Sequence, residues 1–200
     1  MLGLQRTPRA DAIIAALVAA GAQSQYRRAM AATVVDVTTN HGTFTIELDS
    51  AKAPASVANF LAYLDAGHYD GTIFHRVIAT FMVQGGGYDQ VYEKRPVRAP
   101  IQNEADNGVK NKRGTVAMAR TGDPHSATAQ WFVNVVDNAF LDHKGKEPQG
   151  WGYAVFGRVT EGMDVVDRIK NVLTGSNGPF NKDAPDTPVI IQRVRRRATK

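Results

Sequence analysis

Cysteine is absent from the 200 residues, which removes disulfide frameworks, thiol nucleophiles and every zinc site that needs sulfur. That absence fits a reducing compartment. Histidine is scarce, and none of His41, His68, His75, His125 and His143 forms an i,i+4 pair or an HExxH arrangement, so a metal site has little support. No GxSxG elbow marks an activated serine. Gly85-Gly86-Gly87 lacks the Lys-Ser/Thr that completes a phosphate loop and reads as a sharp turn at a strand end. Long apolar runs are missing as well: Ile13 to Ala22 spans ten residues, about half of a bilayer-crossing helix. What remains, 43% hydrophobic and 22% charged residues, is the composition of one soluble globular domain. A chain this long hides roughly 70% of its unfolded surface, enough for a core without staples.

The net charge of +5 would suit a nucleic-acid partner if it were concentrated in a groove, and it is not. Arg193 to Lys200 carries five positive charges and residues 1–32 a net +3, which leaves residues 33–192 at −3. The body is mildly acidic and offers no basic groove. Residues 195–200 read as a solvated basic tail. Residues 1–32 form an extension in which Arg6 and Arg9 precede the apolar run and small-residue triplets follow it, as in a secretory signal. Asp11, the weak hydrophobicity of alanine and Arg27-Arg28 argue against export and for an amphipathic or disordered extension or an unused upstream start. The expected compartment is the cytoplasm, with the periplasm as the alternative if residues 1–31 are a cleaved signal.

From Thr33 onward the pattern is that of a sheet. Thr43 to Asp49 alternates strictly, with Phe44, Ile46 and Leu48 on one face, and Asn40-His41-Gly42 forms the hairpin turn after Val34–Thr39. Pro54, with Val57, Phe60, Leu61 and Leu64 at helical spacing before Gly67, predicts a helix over 54–66. A second helix is predicted over 162–172. Short strands are predicted at 72–78, 81–84, 97–101, 115–119, 131–136, 153–159 and 189–194, with a long loop over 174–188. Many strands and two helices exclude a parallel α/β sheet and point to an antiparallel barrel or sandwich.

In period-2 register Phe74, Arg76 and Ile78 share one strand face, Met82 and Gln84 a second, and Gln130 and Phe132 a third. A cation, two amides and aromatic groups would then line one concave surface; alternatively, Arg76 pairs with a carboxylate at a barrel rim and the aromatics are core. These stretches carry a resemblance. FHRVIxxFMVQGG, NEADNG, GTVAMAR, SATAQWFVN, FLD and GYAVFGRV, in that order over about 33–194, resemble the cyclophilin family of peptidyl-prolyl isomerases. The NHG turn, PHSATAQ, NVVDN and QGWGY are most similar to its small bacterial cytoplasmic members.

The resemblance implies a mainly β fold, a closed eight-stranded antiparallel barrel capped by two helices, and an isomerase that assists protein folding without metal or cofactor. It implies proline-containing peptides and unfolded proteins as partners, a monomeric state, and no membrane or nucleic-acid binding by the core. The barrier to X-Pro rotation is amide resonance, ~18–20 kcal/mol, so a catalyst need only stabilise the twisted state, in which the prolyl nitrogen gains a lone pair. Carried over, Arg76 would donate a hydrogen bond to that nitrogen, and Gln84 would hold Arg76 and contact substrate. Phe81, Met82, Phe132 and Leu141 would seat the ring, and Gln130 would line the adjoining groove. The backbone carbonyl of Arg120, flanked by Ala119 and Thr121, would grip the residue before proline. Phe140 and Tyr153 stand where many eukaryotic relatives have Trp and His. Phenylalanine lacks the indole N–H, which implies weak cyclosporin binding, while Tyr153 still offers a flat wall. Phe74, His75, Val77, Gly85 to Gly87 and Trp131 are assigned to the scaffold, and Asn103, Glu104 and Asn107 to loop organisation. Retention of Arg76 and Gln84 favours an enzyme over a peptide-docking module, which would need only the apolar residues.

Overall fold

The computed structural model describes residues 33–197; the segment read as a leader or extension, 1–32, and the last three residues of the basic tail lie outside them. The first hairpin forms as its alternation predicts. β1 (Thr33–Thr39) and β2 (Gly42–Leu48) pair antiparallel, and Phe44, Ile46 and Leu48 are buried. Gly42 turns with φ +124°, and a Cβ there would press on Val165 at 3.0 Å, so the turn needs glycine on both counts.

The other strands are β3 (Thr72–Ile78), β4 (Met82–Asp89), β5 (Thr115–Met118), β6 (Trp131–Asn134), β7 (Val155–Glu161), β8 (Thr174–Asn177), β9 (Phe180–Pro185) and β10 (Ile190–Arg196). Eight of them close into a barrel in the order β1-β10-β3-β4-β6-β5-β7-β2, each neighbouring pair antiparallel. Closure removes the unpaired edges an open sheet would expose.

Two helices, α1 (Pro54–Asp65) and α2 (Met163–Lys170), cover opposite ends. Phe60 of α1 meets Trp131, the first residue of β6, edge-on at 5.8 Å. Met163 of α2 lies beside Gly114, whose N–H bonds the carbonyl of Asn134 at the other end of β6. The N-terminus of α1 has no cap from its own Ala53. Glu104 supplies one from a distant loop, accepting bonds from Ala55 N, Ser56 N and Ser56 Oγ at 2.7–2.9 Å. A carboxylate there satisfies orphan N–H groups and complements the helix dipole.

Three expectations need correction. Residues 97–101 form no strand; only an isolated bridge joins Ile101 to Ala127. Pro100 denies that stretch a ladder donor, and Pro96 stands immediately before it. The glycine triplet is no strand-end turn, because β4 runs through it to Asp89. Residues 174–188 are not one long loop: β8 and β9 form a hairpin that packs against β3. Its prolines had masked it, yet Pro179 sits in the turn and Pro185 at a strand end, where no ladder bond is lost.

The last barrel strand continues past Val194 through Arg196, so residues 195–197 are not a free solvated tail, and Arg195, Arg196 and Arg197 are partnered. Arg195 pairs with Asp70, Arg196 with Asp65, and Arg197 with both Asp36 and Glu161, at 2.6–2.8 Å. Each aspartate is held below the usual carboxylate range, Asp65 chiefly by its bond to Arg196. At Asp36 and Asp70 burial is the largest single effect and pushes upward, but the hydrogen bonds from Arg197 and Thr45, and from Arg195 and the Val194 N–H, together with the arginine charge, outweigh it.

Candidate active site

The barrel wall has two apolar faces. Along β4, β5 and β6, Val83, Val116, Met118, Trp131 and Val133 point into the interior core. The alternating residues Met82, Ala117 and Phe132 point outward and form a second cluster with Ala119, Leu141 and Val155. Ile78, Phe81 and Tyr153 pack on its margin.

Arg76 reaches this outer face because of a bulge. In the β3–β4 ladder Phe74 pairs with Gly85 and Arg76 with Gln84, so His75 is an extra residue. The strict period-2 reading of β3 is therefore corrected. Phe74 and Val77 turn into the core, while Arg76 and Ile78 face out, Arg76 into the cavity and Ile78 onto the second cluster.

The cavity over this face holds about 250 Å³. Ten of the twelve residues named from sequence line it: Arg76, Phe81, Met82, Gln84, Ala119, Arg120, Gln130, Phe132, Leu141 and Tyr153. Phe140 and Thr121 do not. Phe140 is 64% exposed, its ring 5.4 Å from Phe81, an outer flank to the pocket. Thr121 turns to Ser126, bonding it through both N and Oγ1. His75, Tyr88 and Phe180 also line the cavity, and sequence reasoning had put His75 in the scaffold and missed the other two.

Gln84 does not hold Arg76 as the resemblance implied. Its amide donates to Gln130 Oε1 at 2.9 Å, and Arg76 lies across from it with its guanidinium carbon 5.8 Å from the Phe81 ring. Gln130 in turn rests on the bare backbone of Gly87, where a Cβ would come within 2.5–2.6 Å of its side chain. The triplet thus makes room for the site. Arg120 lies 4.5 Å from the Tyr153 ring centre and donates to the carbonyls of Gly152 and Thr121 at 2.9 Å. Among the described residues, Arg76 and Arg120 are the cations of the lining, and no carboxylate is among it.

The surrounding loops are tied down by buried asparagines that sequence reasoning missed. Asn138 Nδ2 donates to the carbonyl of Phe81, and Asn111 Nδ2 to those of Leu141 and Tyr153. Asn134 joins the two, donating to Asn111 and accepting from Asn138. Carbonyls next to three pocket side chains thus hang on one network. Two of its members lie in NVVDN, but a buried amide looks like a surface one in sequence. Asn103 and Asn107 organise the facing loop as expected, through Gly152 O and Val155 O.

An apolar pocket beside a guanidinium and two amides, with no carboxylate, serine or cysteine among the described residues of its lining, suits recognition of an apolar ring attached to a peptide group. Comparison with known proteins gives this arrangement its family. A sequence profile described as cyclophilin type peptidyl-prolyl cis-trans isomerase matches residues 34–196. The chain belongs to the cyclophilins. Among relatives of this cyclophilin, peptidyl-prolyl cis-trans isomerase cyp18 of Streptomyces antibioticus is 60% identical over 161 residues, 80% of this chain and 96% of that protein. Peptidyl-prolyl cis-trans isomerase B of Escherichia coli is 56% identical over 156 residues, 78% of this chain and 94% of that protein. The crystal structure of a Cryptosporidium parvum cyclophilin type isomerase, 24% identical, matches with a TM-score of 0.68 over 84% of this chain and 99% of that one. The barrel with two helices is the cyclophilin fold.

Proposed function

We propose that this chain catalyses cis-trans rotation about Xaa-Pro bonds in peptides and unfolded proteins, with Arg76 donating a hydrogen bond to the prolyl nitrogen in the twisted state. The observation that carries the reading is the bulge at His75, which sets a guanidinium beside an apolar pocket where a regular strand would turn it into the core. Phe132, Met82 and Leu141 give the ring an apolar floor that is nearly closed to water. The Arg120 carbonyl and Gln130 hold the preceding residue. No bond is made or broken: the lone pair that resonance spreads over the amide localises on nitrogen as the bond twists, and a fixed cation stabilises it. Arginine stays protonated throughout the working range, so the rate is flat around neutral pH. The protein acts as a monomer, and Phe140, without an N–H, leaves cyclosporin a weak inhibitor.

The test is an isomerisation assay on a short Xaa-Pro peptide, comparing wild type with Arg76→Ala and checking both by circular dichroism. A folded Arg76→Ala loses roughly a hundredfold or more in kcat/KM, the scale on which a preorganised donor acts, and cyclosporin titrated into the wild-type assay inhibits only weakly. A folded variant with wild-type activity would rule the guanidinium out.

A further inference from the structure

The cavity does not end at Arg76. Beyond it lie His75, Tyr88 and Phe180, the first two on the β3 bulge and the end of β4 in one hairpin and the third on the β8–β9 hairpin, remote from it in sequence. The Phe180 ring stacks on His75 at 5.1 Å and 27°, and meets Tyr88 edge-on at 5.2 Å and 82°. His75 is 2% exposed, whereas Phe180 and Tyr88 are half-buried and keep aromatic surface open to the cavity.

This corner is preformed. Tyr92 holds φ 62°, its ring against Gly178 at the hairpin tip, where a Cβ would overlap it. Asp89 fixes the loop that carries Tyr92 by accepting from the N–H groups of Val91 and Glu93. A rigid apolar corner binds without first paying an ordering cost. Its floor is uncharged: burial and the neighbouring Arg76 push the His75 imidazole down to about 4.

The sheet order gives the corner an occupant. Ala119 and Arg120 follow β5, Phe132 is on β6, Met82 and Gln84 on β4, Arg76 and His75 on β3, and β9 packs on β3. On the reading proposed above, the residue before proline sits at Arg120 and the ring over Phe132 and Met82. A chain continuing in that direction crosses Arg76 and delivers its next side chain to Phe180. We propose that Phe180, with Tyr88 and His75, forms a subsite for an aromatic or large apolar side chain on the residue that follows proline. The substrate class this assigns to the site is Xaa-Pro followed by Phe, Tyr, Leu or Met.

A protease-free assay, such as exchange NMR, on Ala-Ala-Pro-Phe and Ala-Ala-Pro-Ala tests this in the full chain. Wild type favours the Phe peptide in kcat/KM by about three- to tenfold, the range expected of one aromatic contact, and Phe180→Ala brings the ratio close to one. Phe180→Leu, which keeps the hairpin packed, retains part of the preference and guards against a variant that fails to fold. Arg76→Ala slows both peptides and leaves their ratio in place, so failure of the arginine mechanism and failure of the subsite give different results. Equal wild-type rates on the two peptides, or an undiminished ratio in a folded Phe180→Ala, overturns the subsite.

Discussion

Neighbouring residues on one strand, Trp131 and Phe132, serve opposite faces of the barrel wall. Trp131 is fully buried among Phe60, Tyr69 and Phe74, with ring centres 5.5–6.3 Å away. Phe132 is 3% exposed, yet it borders an open cavity and, among the described residues, meets only Tyr153 at aromatic distance. The inner face is closed mainly by aromatic and aliphatic packing, with the buried Tyr69 hydroxyl bonded to the Ala129 carbonyl, whereas the outer one must stay open and is held by amides, Gly87 and a bulge. Stability and function are thus divided between odd and even positions of the same strands.

Paired alanine variants break that comparison with the largest effect. Trp131→Ala costs ~3–5 kcal/mol of stability, the usual result of emptying an aromatic site in a core. What folded protein remains keeps its pocket. Phe132→Ala costs less in stability, because the cavity already borders it, but loses most activity through a raised KM. Urea melts and steady-state assays on both variants check this; equal stability losses would mean that the outer cluster is core in all but position.

The next largest effect separates the faces by pH. His75 lies under the outer face with a folded pKa of about 4 against an ordinary 6.5, and its Nδ1 has no hydrogen-bond partner among the described residues. Between those values the unfolded chain takes up a proton that the folded one refuses. Stability therefore falls as pH drops from about 6.5 to 4, by up to ~3 kcal/mol. The arginine-paired aspartates, whose folded values are lowered, lose their contribution only further down, below about pH 4. Melts of wild type and His75→Phe at pH 7 and pH 4.5 measure it: the variant loses much less on acidification, and parallel losses would assign the slope to other groups.

How much of this division was legible before the structure follows from the range of the signals. β1, β2 and α1 were readable because their partners or periodicity lie within a few residues. The pocket residues came with the motif resemblance, and ten of them converge. The bulge at His75 was hidden because it is a property of the pairing: only the register of β3 against β4, which shifts between Phe74 and Arg76, shows the extra residue. The β8–β9 hairpin was hidden by proline and polar residues suited to a strand pair outside the barrel. The asparagine network was hidden because no pattern distinguishes a buried amide.

That network supplies a third, intermediate test. Asn111→Leu removes bonds to the carbonyls of Leu141 and Tyr153 and to the Asp142 carboxylate, as well as the acceptor for Asn134. Stranding buried acceptors costs ~1–3 kcal/mol. If the amides hold the outer face specifically, KM also rises at a temperature where the variant is fully folded; a stability loss with KM unchanged would make the network scaffold only.

The smallest effect lies on the arginine ladder of β10, and it sharpens the comparison from outside both faces. Arg196 and Asp65 form a 2.6 Å pair whose side chains are 44% and 54% exposed. Water and salt screen such a pair, so it contributes only ~0.2–1 kcal/mol. Arg196→Ala therefore shifts the melt slightly, the shift shrinks in 0.5 M salt, and kcat/KM stays at the wild-type value because the ladder touches neither cluster. A loss well above that range would mean that the strand end, and not the interior packing, closes the barrel between β1 and β3.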